Sequence, residues 1–149
     1  MTPAALASGI ATAAIIAAFA RATGFDRDRS FYPTVLVVIT LLYVLFGVED
    51  GAAFVIATET GVALAFVAVA VVAFRWQSPA LLAVGLALHG IWDVAHPALL
   101  PESDAVPVWW PAFCLGVDLP LAAWIYLRWP PRTHDEVPTP SRDAGPAAP

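Results

Sequence analysis

Five long apolar stretches dominate this sequence, at 4–20, 32–48, 52–74, 80–96 and 108–127. A hydrocarbon core about 30 Å thick is crossed by roughly 20 helical residues, with a working range of about 17–25. Backbone groups inside a bilayer must be satisfied within the segment, so stretches of this length spell helices. The fold they predict is all-α: a polytopic membrane bundle of five transmembrane helices. Composition agrees, with 60% hydrophobic residues, 13% charged residues and a mean hydropathy of +0.75. Soluble domains carry about twice that share of charge. A chain this apolar cannot remain dispersed in water, which excludes disorder as a whole-chain description. A single cysteine, Cys114, excludes an intrachain disulfide framework and a multi-cysteine zinc module. The net charge of −5 and the absence of lysine argue against nucleic acid as a partner. The partner that remains is the lipid bilayer.

The links between spans set the arrangement. Glu49-Asp50-Gly51 reads as a tight hairpin, with glycine as the permissive turn residue. The link at 75–79 is nearly as short. Brief links make antiparallel neighbours, so spans two, three and four are expected side by side. Arginine sets the orientation. Arg21, Arg27 and Arg29 lie in the first connection, Arg75 in the third, and Arg128, Arg132 and Arg142 at the C-terminal end. The opposite side carries no arginine. Because basic residues are retained in the cytoplasm, this reads as a multi-pass protein of the cell membrane, N-terminus outside and C-terminus cytoplasmic. The acidic pairs Glu49/Asp50 and Glu102/Asp104 carry little weight in that rule.

Residues 1–128 are read as one five-helix domain. The proline-rich segment 129–149 lacks apolar periodicity and is expected to be a disordered cytoplasmic tail. Ala18-Phe19-Ala20 resembles a signal-peptide cleavage site, but the first nine residues lack the Lys or Arg of a signal start. The first span is therefore read as uncleaved. No internal repeat is visible, and five spans do not divide into the inverted pair usual in secondary transporters.

Ionisable side chains inside spans are costly and usually face a bundle interior or a cavity. On the fourth span His89, Asp93 and His96 fall at i, i+4 and i+7, within an arc of about 60°. Leu82 and Gly85 extend that stripe, and Gly85 would allow close approach of another helix. Counting from the outer ends, Glu59 on span three and Cys114 and Asp118 on span five reach a similar depth. Tyr43 on span two does so too. Pro120 cannot donate to the Gly116 carbonyl, which frees that oxygen beside Asp118.

Three readings fit this cluster. The histidines and carboxylates can bond helix to helix. They can hold a divalent metal such as zinc, with His89, His96, Asp93, Glu59 and Asp118 as candidate ligands, at a hydrolase-like site in the outer half of the bundle. They can form a proton or ion relay. An accessory role, docking another membrane protein through the seam, and a homo-oligomer also remain open. No catalytic residue is singled out, and whether the chain is an enzyme stays open at this point. Arg27 and Arg29 suit either internal pairing with Asp26 and Asp28 or contact with lipid phosphate. Tyr32 and Trp76 are expected at the inner membrane interface, and Trp109 and Trp110 at the outer one.

Three motifs carry a resemblance. Gly24-Phe25-Asp26-Arg27-Asp28-Arg29 is followed by Phe31-Tyr32-Pro33-Thr34; His89-Gly90 leads to Asp93 and His96; and Pro107 leads through Trp109-Trp110-Pro111 to Phe113-Cys114. Together they resemble a family of small multi-spanning integral membrane proteins classed as a domain of unknown function, over about residues 24–127. The resemblance implies membership and a multi-spanning helical fold, and it transfers no activity.

Overall fold

The computed structural model describes residues 2–99 and 105–128. The tail expected to be disordered, 129–149, and the Glu102/Asp104 pair lie outside the described residues. Five helices are present: α1 (Pro3–Thr23), α2 (Phe31–Asp50), α3 (Ala53–Arg75), α4 (Pro79–Leu99) and α5 (Trp110–Arg128). A 3-10 turn, Phe25–Arg27, joins α1 to α2. All five are long and apolar enough to cross a membrane, and no strand occurs among the described residues. The protein is a multi-pass helical membrane protein.

Local chemistry explains the helix ends and corrects several expected boundaries. Gly24 closes α1 and Gly51 closes α2, each with a left-handed backbone (φ 83° and 81°) open to glycine at little cost. Glu49 and Asp50, expected in the hairpin, belong instead to the last turn of α2. The link is only Gly51 and Ala52, and Asp50 Oδ1 accepts the Ala52 N–H at 3.2 Å. The Ser78 hydroxyl accepts the Leu81 N–H at 3.2 Å and so caps α4. Helix α4 runs through Pro97 to Leu99, three residues beyond the expected end. Helix α5 begins at Trp110 rather than at 108, because the Trp110 N–H closes a turn on the Pro107 carbonyl at 2.8 Å.

Packing divides the helices into two groups. Helix α5 lies between α1 and α4, α2 pairs with α3, and α4 meets both α3 and α2 to join the groups. Small residues permit the closest crossings. A Cβ at Gly9 would overlap the backbone of Phe113 and Gly116 on α5, and one at Gly116 would overlap Leu6 and Gly9 on α1. A Cβ at Gly85 would stand 2.8 Å from Val69 on α3 and 3.2 Å from Leu36 on α2. Close approach of this kind replaces the missing hydrophobic drive between helices in lipid. The buried stripe of α4 is Leu82, Gly85, Leu86, His89, Asp93 and His96, the face read from its spacing. Large apolar side chains such as Ile15, Leu45, Phe54 and Leu64 point outward, while the polar groups point in. That inversion of a soluble protein's plan suits a hydrocarbon surround.

Candidate metal centre and its neighbouring histidine pair

Helix α4 brings the site together because its polar residues recur on one face, and that face is the one enclosed by its neighbours. Gly90 supplies room on the α5 side: a Cβ there would come within 3.0 Å of Asp118 Cβ. With only hydrogen at that position, Asp118 reaches His89, and His89 Nδ1 donates to Asp118 Oδ2 at 2.8 Å. Asp93, one turn further along α4, has its Oδ2 3.5 Å from the same nitrogen. One ligand atom from each of His89, Asp93 and Asp118 lies within 4.8 Å of the others. All three side chains are buried, Asp93 and Asp118 with no exposure.

A second pair sits two turns along α4 from His89. His96 Nε2 lies 2.6 Å from Glu59 Oε1 on α3, and both residues are buried. These two do not join the three-residue group. Glu59, expected at the depth of His89, instead meets His96. The structure thus gathers all five sequence-proposed metal ligands in one interior but divides them into a His-Asp-Asp group and a His-Glu pair.

Tyr43 stands between the two. Its ring centroid is 5.0 Å from that of His96 and 6.3 Å from that of His89. Its hydroxyl and the Cys114 thiol lie beside Asp93, short of hydrogen-bond geometry. Phe66 packs on His89 at 5.0 Å and Trp92 on His96 at 5.8 Å. Sequence reasoning placed Tyr43 only by depth and did not single out Phe66 or Trp92. Tyr43 had a readable signal: Leu36, Thr40, Tyr43 and Gly47 form the buried face of an otherwise apolar α2. Phe66 and Trp92 had none, since an aromatic residue in a span reads as lipid-facing.

Charge balance and hydrogen bonding are incomplete. Three carboxylates meet two imidazoles, and the chain has no lysine, while its described arginines stand at helix ends or in links. With all three carboxyls ionised and both imidazoles protonated, one negative charge is left over. An unbalanced charge in such a setting costs several kcal/mol. Both oxygens of Asp93, Oδ1 of Asp118, Oε2 of Glu59 and the Tyr43 hydroxyl have no hydrogen-bond partner among the described residues. Buried groups of this kind demand a partner; a proton on one carboxyl removes the excess charge, and a bound metal cation would meet both the charge and the lone pairs.

The interface aromatics follow expectation in part. Trp76 is exposed at the end of α3 and Trp109 is half exposed beside α5. Tyr32, in the first turn of α2, faces the bundle and not the lipid: it is buried, and its hydroxyl accepts the Trp124 indole N–H at 3.0 Å. Trp110 packs on Phe46 at 5.2 Å and is not wholly given to the interface. In the first connection Arg21 approaches Asp26 at 3.9 Å, and Asp28 accepts from Ser30, so Arg27 and Arg29 have no carboxylate partner among the described residues.

No family model, no curated protein and no solved structure matches the chain.

Proposed function

We propose that this is a metal-dependent membrane protein in which His89, Asp93 and Asp118 hold a divalent cation such as zinc. The observation that carries the reading is the convergence of three ligand atoms within 4.8 Å, with carboxylate oxygens beside them left unpartnered. Adjacent ligand atoms on a tetrahedral zinc stand about 3.4 Å apart for bonds near 2.1 Å. The 3.5 Å separation of His89 Nδ1 from Asp93 Oδ2 is close to that requirement, while the 2.8 Å hydrogen bond from His89 to Asp118 would lose its proton and open slightly for both atoms to bind an ion. Three protein ligands leave a fourth position, the arrangement of hydrolytic rather than structural zinc. Such an ion polarises a carbonyl or phosphoryl oxygen and acidifies water, which makes a hydrolase-like activity the matching chemistry.

The topology belongs to the same proposal. Arg21, Arg27, Arg29, Arg75 and Arg128 all fall where successive antiparallel helices share one end. That supports an N-terminus outside and a cytoplasmic C-terminus in the cell membrane. It puts the centre in the outer half of the bundle. We also propose, on the resemblance of the motifs at 24–34, 89–96 and 107–114 alone, that the chain is related to a family of small multi-spanning membrane proteins of unknown function.

Metal analysis after zinc loading and desalting tests the centre. Wild type should retain about one equivalent, as a three-ligand site does. His89→Ala and Asp118→Asn should lose it. His96→Ala, outside the three-residue group, should keep it. Metal equally near zero in wild type and all variants would overturn the proposal.

A proton or ion relay is the second reading, favoured by Tyr43 lying between the two histidines. It requires pH-driven flux in liposomes that Glu59→Gln or Asp118→Asn abolishes.

A further inference from the structure

Away from the buried polar cluster, α2 and α3 enclose a groove of about 280 Å³ between them. Pro33, Thr34 and Val37 line one wall, and Ala70, Val71 and Phe74 line the other. Positions 33, 34 and 37 share one face of α2 and 70, 71 and 74 one face of α3, and the lining is largely apolar because the Ser30 and Thr34 hydroxyls are spent on Asp28 and on the Ser30 carbonyl. Ala70 has no side chain long enough to fill the space. Both helices are spans, so the groove opens onto acyl chains.

A separate, smaller recess lies beside it. That recess shares Pro33 and Phe74 with the groove and reaches Arg29, Gln77 and Ser78. The apolar groove therefore lies next to a guanidinium and two polar side chains at the membrane boundary. Arg29 is half-buried there and has no carboxylate within ion-pair distance among the described residues. The nearby acids are engaged elsewhere, Asp26 by Arg21 and Asp28 by Ser30. Arg27 and Arg75 add positive charge at the same end.

We propose that this groove is a binding site for an anionic phospholipid, with an acyl chain between α2 and α3 and the phosphate at Arg29. The size selects the occupant. From Ser30 to Val37 the groove runs about 10 Å along α2, the length of part of one acyl chain. The charge selects the headgroup, since guanidinium binds phosphate through paired donors and a net anionic lipid adds further attraction. The proposal is independent of the metal centre, whose residues lie on α4 and α5.

Native mass spectrometry of the full chain from nanodiscs of equal phosphatidylglycerol and phosphatidylcholine tests it. Wild type should retain phosphatidylglycerol in preference, by about fivefold for one interfacial arginine. Arg29→Gln should abolish the preference, Arg29→Lys should restore much of it, and Arg27→Gln, outside the lining, should lower it by much less than Arg29→Gln does. Val71→Trp, placed on the exposed rim of the groove, should remove retention of both lipids. Equal retention of the two lipids by wild type, or a preference that survives Arg29→Gln, would overturn the proposal. Protection of buried Cys114 from alkylation confirms that each variant is folded. If Arg29→Gln fails that check, the decision rests on Val71→Trp, whose undiminished lipid retention would equally overturn the site.

Discussion

His96 Nε2 and Glu59 Oε1 stand 2.6 Å apart and tie α4 to α3, across the junction between the two helix groups. Removing one partner leaves a buried group orphaned, so His96→Ala should destabilise the fold by about 1 kcal/mol. Glu59→Gln keeps a polar partner in place and should cost less. Unfolding by graded sodium dodecyl sulfate in mixed micelles measures both. The His96→Ala protein should still bind metal, which separates a junction role from a ligand role.

Gly9 and Gly116 set the α1–α5 crossing, and a side chain at either strikes backbone rather than a movable side chain. Gly116→Leu should therefore part α1 from α5 and cost at least about 3 kcal/mol, the upper range for overpacking. Rapid alkylation of Cys114, otherwise buried, reports that opening. Gly61 is the contrast, with open space around it. Gly61→Ala should stabilise α3 by about 0.5–1 kcal/mol through helix propensity.

The Trp124 indole and Tyr32 hydroxyl link α5 to α2 at 3.0 Å. Trp124→Phe and Tyr32→Phe should each weaken the fold, and the double variant should be less destabilised than their sum. The coupling expected in a membrane interior is about 0.6 kcal/mol. A coupling indistinguishable from zero would show that the bond contributes no stability.

Asp28, in the first connection, is held below the ordinary aspartate range by the Ser30 backbone N–H first and the Ser30 hydroxyl second. A depressed carboxylate pKa stabilises the turn above the unfolded value of about 3.9, and the contribution fades as pH falls through the lower folded value. The turn should hold unchanged from neutrality down to about pH 4. Ser30→Ala removes one of the two donors, so carboxyl NMR titration should show the Asp28 pKa moving part of the way back.

Much of the architecture is readable one segment at a time. A span is a length criterion, rise per residue against bilayer thickness, and it depends on no neighbour. The stripe of His89, Asp93 and His96 is equally local, because helical periodicity alone aligns it. Pairing between helices is another matter. Depth counted from Gly51 put Glu59 level with His89, but α4 continues through Pro97 to Leu99. His96 is therefore not the outermost residue of α4 but lies about one turn inside it, within reach of Glu59. Tyr32 shows the same limit. Its type and position suit a membrane interface, and only the proximity of Trp124 on α5 makes it a buried acceptor.

Membrane residence, five helices and the polar face of α4 thus follow from the chain's own order, since each rests on hydrophobicity and periodicity within about twenty residues. The division of five ionisable side chains into a His-Asp-Asp group and a His-Glu pair does not. It depends on how closely helices approach, and that is set by Gly90 beside Asp118, Gly85 beside Val69 and Gly9 against Gly116. A difference of one methyl group at such a crossing shifts a neighbouring helix by an amount comparable to a hydrogen-bond length. Tertiary packing therefore decided which carboxylate meets which histidine.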